Sequence, residues 1–468
     1  MSDARSPLET VSSMPPSDVA DHVVTQHVPP KRTLAPFLVV TALFFMWGFL
    51  TVLVDALIPR LRSVFVLSYF EAGLLQMAFF GAYLLFSIPA GLLIARIGYK
   101  RGILVGLATM AAGCLLFLPA ASVRVYVLFL LAMFVLGGGI TLLQVAANPY
   151  VAALGAERTA SSRLNFAQAF NSLGTTIAPL VSAAYLLSDE IQSPEALAAL
   201  GEGARQAYFA AEAAAVSAPF LAIAGVLGLL AVGIALFKLP RLLDSDDAQP
   251  GLAGLWDAMR HRRLALGAVA IFVYVGGEVA IGSYLVDYFV SLGIGDLVSI
   301  SPFMQAVVGT LGSGDLAAMT QRQIAGTLVA LYWGGAMVGR FIGALLLQRL
   351  RPTFVLGTFA LGAALLVLTS ALSTGLIAVW AALAVGLFNS VQFATIFTLA
   401  IKGLGSQTAA ASGVLCMAIF GGAVIPPAFG ALADVVGIQA AFVLVLLCYG
   451  YIAFYGFRGA ESGAVAAG

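Results

Sequence analysis

Apolar residues fill this chain in long blocks, with polar residues gathered in short clusters between them. About 20 helical residues cross the roughly 30 Å of hydrocarbon in a bilayer. Twelve runs of that kind are present: spans 1 to 12 at residues 34–58, 69–95, 101–119, 124–153, 163–187, 217–237, 264–291, 323–348, 353–371, 376–400, 407–431 and 438–456. They form two groups of six, divided by residues 238–263, which contain KLPRLLDSDDAQPG and the basic cluster Arg260, His261, Arg262 and Arg263. The pattern predicts an all-α integral membrane protein. Its expected parts are a polar, disordered tail over 1–33, an N-terminal six-helix bundle over 34–237, a linker over 238–263, a C-terminal six-helix bundle over 264–458 and a short tail over 459–468. No apolar segment followed by a cleavage site precedes residue 34, so the first tail does not read as a secretory signal.

Composition narrows the class further. Charged residues make up 10% of the 468 and apolar residues 61%, whereas soluble proteins carry about 25% charged residues. Such a chain could not cover a water-exposed surface, which excludes a cytosolic enzyme, a secreted disulfide scaffold and a disordered chain. A net charge of +1 leaves no basic footprint for nucleic acid. Cys114, Cys416 and Cys448 sit in apolar runs without paired spacing and read as reduced packing residues, not as metal ligands.

Lys and Arg in short loops set orientation. With the tail on the cytoplasmic side, 17 of the 23 basic residues fall on that side, five lie outside and Arg340 alone falls within a span, so both termini are expected in the cytoplasm. The two halves also resemble each other: a displacement of 250 residues lays LGAERTASS (154–162) over LGSQTAAAS (404–412). Parallel six-helix repeats of this kind build carriers that hold their substrate between the halves near the membrane midplane. Gly102 with Gly106, and Gly335 with Gly339 and Gly343, put small residues four apart, which suits close static helix contacts.

Charges inside spans are costly and need a reason. Glu278 lies halfway along span 7, between Gly276, Gly277 and Gly282, with no basic residue within a turn, and could carry a proton or bond sugar hydroxyls. The alternative is a neutral acid bonded to a neighbouring helix. Asp55 lies near the outer end of span 1, before Arg60 and Arg62; it is either an interfacial partner of those arginines or a protonatable group reached from outside. Asp287, about 13 Å beyond Glu278 along the helix, is expected at the outer interface, and Arg340 is expected in a structural role toward the cytoplasmic side.

Uncharged polar residues point to the cargo. Gln144 and Asn148 share a face of span 4, Asn165, Gln168 and Asn171 a face of span 5, and Asn389 and Gln392 fall on span 10. Amides donate and accept, as hydroxyls do; buried, they either bond one another or bond a substrate. Trp47 and Trp333 are candidates for stacking on a sugar ring or for core packing, and Trp380 for an interface anchor.

The segments FFMWGFLTVLVDALIP (44–59), LLQVAANPYVAALG (142–155), SSRLNFAQAFNSLGTTIAPL (161–180) and FTLAIKGLG (397–405) are similar to the fucose:proton symporter family, with the closest likeness to its bacterial glucose/galactose branch. GLLIARIGYKRG (91–102) resembles the loop signature of the major facilitator fold, with Ala95 where an aspartate is usual. The resemblance implies a major facilitator fold in a bacterial inner membrane and proton-coupled import of a neutral hexose, glucose or galactose, by a monomer. Membrane lipids would surround it, and neither a cofactor nor chemistry on the cargo is implied. It implies that Asp55 and Glu278 couple protons, and that Gln168 and Asn171 bond sugar. A coupling glutamate of the fucose branch falls at Gln144, which cannot titrate. Sodium as coupling ion, an amino sugar such as N-acetylglucosamine as cargo, a multidrug exporter and a non-transporting sugar receptor remain open alternatives.

Overall fold

The computed structural model describes residues 34–65, 69–185, 199–240, 252–312, 316 and 319–460. The expected tail over 1–33, part of the linker and the last eight residues lie outside them. The first bundle comprises α1 (Leu34–Phe65), α2 (Tyr69–Ile97), α3 (Tyr99–Val123), α4 (Tyr126–Ala153), α5 (Ala160–Tyr185) and α6 (Glu202–Leu236). A short amphipathic helix, α7 (Leu252–Arg260), occupies the divider, with Ala258 buried and Trp256 exposed. The second bundle comprises α8 (Arg262–Ser291), α9 (Ile294–Ser299), α10 (Pro302–Leu311), α11 (Gln321–Leu346), α12 (Pro352–Leu372), α13 (Gly375–Asn389), α14 (Gln392–Ile401), α15 (Thr408–Met417), α16 (Gly421–Val436) and α17 (Ile438–Phe454).

Eleven helical stretches among the described residues are long and apolar enough to cross a membrane. The remaining expected span, α5, is helical from Ala160 to Tyr185, the last of its described residues, but is rich in polar side chains, from Ser161, Ser162, Arg163 and Asn165 to Thr175 and Thr176. Two spans are interrupted where continuous helices are predicted. Span 10 breaks at Ser390 and Val391, between α13 and α14, and span 11 passes through a tight turn at Ala418–Phe420 between α15 and α16. The break in span 10 is compensated by side chains: Gln392 Nε2 donates to Phe388 O at 3.1 Å and Arg340 Nε to Ser390 O at 3.4 Å. Irregular backbone is tolerated at membrane depth only where such partners replace water.

The internal repeat is visible in detail. LGAERTASS leads through a 3₁₀ turn, Glu157–Thr159, into α5, and LGSQTAAAS leads through another, Gly405–Gln407, into α15. The glycines at four-residue spacing serve contacts within each half. Gly106 meets the backbone of Gly139 and Leu143 on α4, and Gly335 and Gly339 meet Leu387 of α13 and Ser390 just beyond its end. In the loop that resembles the major facilitator signature, Lys100 Nζ donates to Ala235 O at 2.8 Å and Phe237 O at 3.0 Å, holding the end of α6. All three cysteines are buried and free.

Four of the hydrogen bonds joining the two bundles lie near the face that carries the basic loops. Ser161 and Thr398 share a 2.6 Å bond, Ser162 Oγ donates to Ala344 O at 2.6 Å, Asn165 Nδ2 to Thr395 Oγ1 at 3.2 Å, and Ser412 Oγ to Val145 O at 2.8 Å. Beside them, α2 and α15 cross at glycines: a Cβ on Gly91 would lie 2.7 Å from Ala409 O, and one on Gly413 would lie 2.7 Å from Ser87 O. Small residues allow this approach, as helix packing in membranes requires.

Candidate functional site

Above this seal, a cavity of about 190 Å³ lies between the bundles. The first bundle contributes Trp47 and Thr51 from α1, Phe79, Phe80 and Tyr83 from α2, Gln144 from α4, and Gln168, Asn171 and Thr175 from α5. The second faces it with Tyr274, Val275, Glu278 and Val279 from α8, Arg340 from α11, Phe393 from α14 and Ile419. One wall is therefore amide and aromatic, and the other carries two opposite charges.

The side chains are held in place by neighbouring helices. Gln144 Nε2 donates to the Tyr83 hydroxyl at 2.7 Å, and Asn171 Nδ2 donates to Phe44 O at 3.0 Å. Asn171 is brought against α1 because Gly48 leaves no Cβ in its way; one added there would overlap the asparagine. Trp47 is 4% exposed and packs on Phe44 with ring centroids 4.1 Å apart. These restraints leave Gln144 Oε1, Gln168 and the indole face for a ligand.

Glu278 is not isolated, contrary to the expectation from its own helix. Tyr274 donates to Glu278 Oε1 at 2.8 Å, and Arg340 Nη2 approaches the same oxygen at 3.9 Å, the two charged side chains being 12% and 13% exposed. Arg340 also departs from its expected place near the cytoplasmic side. It reaches across to α5, where Nη1 donates to Ser172 Oγ and to Gln168 O at 3.3 Å. It bonds the carbonyls of Gln168 and Ser390, the first of them across the bundle interface. Asp287 pairs with Arg322 at 2.7 Å, both exposed.

The structure divides the other candidates. Gln144, Gln168, Asn171, Glu278 and Trp47 meet at the cavity. Asn148, one turn along α4 from Gln144, is fully buried outside it, and neither of its side-chain polar atoms is hydrogen-bonded. Asn389 donates to the Tyr332 hydroxyl at 2.7 Å and Gln392 to Asn389 Oδ1 at 3.4 Å, both enclosed in the second bundle. Trp333 is 40% exposed and lies against Gly282, and Trp380 packs near Phe303. Asp55 falls within α1, and its side chain lies outside the described residues, as do those of Arg60 and Arg62.

Tyr83, Tyr274 and Ser172 are participants for which the sequence carries no signal, and Arg340 is one whose own helix places it elsewhere. A signal for Arg340 does exist: opposite charges in two spans of one bundle are expected to pair, because lipid offers neither another partner.

A model of the Major Facilitator Superfamily matches residues 36–415. The glucose/galactose transporter of Brucella abortus is 47% identical over 424 residues, covering 90% of this chain and 93% of that protein. The L-fucose-proton symporter of Escherichia coli K12 is 35% identical over 431 residues, covering 90% of this chain and 92% of that protein. In three dimensions the chain resembles a crystal structure of the transporter FucP in the outward conformation, with a TM-score of 0.79 and 33% identity, covering 91% of this chain and 98% of the other.

Proposed function

The chain belongs to the Major Facilitator Superfamily, and from that premise we propose that it imports a neutral hexose, glucose or galactose, together with protons by alternating access. The observation that carries this reading is the cavity between the bundles, where amides and an indole face an ion pair. Its volume of about 190 Å³ lies below the range of roughly 300 Å³ upward typical of pockets for drug-sized ligands, which favours a monosaccharide over the cargo of a multidrug exporter. Gln144, Gln168 and Asn171 would bond ring hydroxyls, and Trp47 would cover the apolar face of the pyranose. Their relatives' names supply the sugar class and the proton.

The positive-inside rule puts the basic loops, both termini and the inter-bundle seal on the cytoplasmic side of a bacterial inner membrane. The cavity then belongs to an outward-facing state. Asp55 would take a proton from outside, and Glu278 would exchange one within the cavity. Arg340 connects the two events. It holds Ser172 and Gln168 on α5 while facing Glu278 on α8, so neutralising the carboxylate changes what the guanidinium is held by on either side of the interface. A sugar bonded to Gln168 acts on the same wall. Coupling requires only that proton and sugar each favour one of two states.

The test is sugar-evoked pH change in proteoliposomes. Adding glucose or galactose outside should make the external medium more alkaline, without sodium. A response that needs sodium and moves no protons would replace the proton with sodium; failure of labelled hexose to accumulate under an inward proton gradient would end the carrier reading in favour of a receptor.

The two tryptophans offer a further comparison. Trp47→Ala should weaken apparent sugar affinity by up to about tenfold, the scale of an aromatic contact of roughly 0.5–1.5 kcal/mol. Trp333→Ala should leave it unchanged. Equal losses from both in a sugar-binding titration would move the sugar away from the cavity.

A further inference from the structure

A second concavity, of about 420 Å³, opens where α11 ends and α12 begins, beside the π-helical turn Tyr455–Gly459 that closes α17. Arg349 and Arg351 stand at its rim, and Leu350, Phe354 and Phe457 form its apolar sides. Two glycines set the helices beside it in close contact: a Cβ on Gly456 would lie 2.6 Å from the Gly357 nitrogen, and one on Gly357 would lie 2.6 Å from the Phe457 ring. The groove therefore exists because two glycines let α12 and the π turn touch.

Its position determines what it meets. Helix α12 is long and apolar enough to cross the bilayer from Pro352 onward, which would set Arg349 and Arg351 where hydrocarbon gives way to headgroups and turn Phe354 and Phe457, 54% and 44% exposed, toward the acyl region. Among the described residues, neither guanidinium has a hydrogen bond or ion pair. Exposed arginines of one sign above an exposed aromatic wall complement an amphiphile with an anionic head and an apolar tail, and basic pockets between membrane helices on the cytoplasmic side take such lipids.

We propose that this groove binds one anionic phospholipid, its phosphate held by Arg349 and Arg351 and an acyl chain laid over Leu350, Phe354 and Phe457. The site is separate from the transport cavity and does not depend on the identity of the cargo.

Native mass spectrometry of the full chain from micelles containing phosphatidylglycerol or phosphatidylcholine of the same acyl composition tests it. Two basic groups at headgroup level together favour the anionic lipid by roughly thirtyfold. The parent should retain phosphatidylglycerol by that order over phosphatidylcholine, the preference should fall as ionic strength rises, and the double variant R349Q/R351Q should lose it. R349K/R351K should keep most of it. The parent's lipid preference and its salt dependence need no variant, so the test survives even if R349Q/R351Q folds poorly. Retention of phosphatidylglycerol by R349Q/R351Q at the parent's level, or no preference in the parent, overturns the proposal. Displacement of the lipid by inorganic phosphate at equal concentration overturns it as well, because the groove would then recognise a free anion and not an amphiphile.

Discussion

Glu278→Gln is expected to abolish sugar-evoked proton movement while leaving hexose exchange across the membrane measurable. Glutamine keeps the size of the side chain and its bond with Tyr274 but has no proton to release. The substitution also leaves Arg340 without its counter-charge. Removing one partner of a buried ion pair costs about 3–5 kcal/mol. Here the lower end applies, since Arg340 retains Ser172, Gln168 O and Ser390 O. The single variant should therefore be less thermostable than the parent, and the double variant Glu278→Gln/Arg340→Gln should recover part of the loss, as a double-mutant cycle would reveal. Parent-like proton movement in Glu278→Gln would remove this residue from coupling and leave Asp55 as the proton carrier, to be tested by Asp55→Asn.

Gly413→Val should shift the carrier away from the state seen here. A first side-chain carbon at Gly413 would lie 2.7 Å from Ser87 O, a backbone atom on the opposite bundle that cannot rotate away. Valine adds two methyl groups to that overlap. Overpacking costs about 1–3 kcal/mol, and here the cost falls on the closed seal alone, so with the proposed orientation the ratio of inward-open to outward-facing molecules should rise about fivefold to more than a hundredfold. Membrane-impermeant thiol labelling from each side, at cysteines placed on either side of the seal, would measure the ratio. An unchanged labelling pattern would mean that the α2–α15 crossing is not what closes this face.

These two expectations rest on different parts of what could be read from the chain. The helices were legible because the bilayer imposes one length on every span, and the repeat was legible because both copies keep the same small and polar residues ahead of their fifth helix. What no single helix carries is a residue's partner on a distant one. Spacing sets Asn389 and Gln392 three residues apart on span 10, yet there they meet Tyr332 and the broken backbone of the span. It placed Gln168 and Asn171 equally well, and those do reach the cavity. The two pairs have the same periodicity; what differs is the neighbour.

The amino-acid sequence alone determined that this is a membrane protein of two matching six-helix halves, and which polar groups lie at membrane depth, because hydrocarbon admits only long apolar helices and makes every exception conspicuous. The tertiary structure alone decided which exceptions face each other. Arg340 belongs to the charged wall and not to the membrane edge because helix packing brings α11 against both α8 and α5, and the pairing of charges depends on distance in space, which no periodicity along one helix contains.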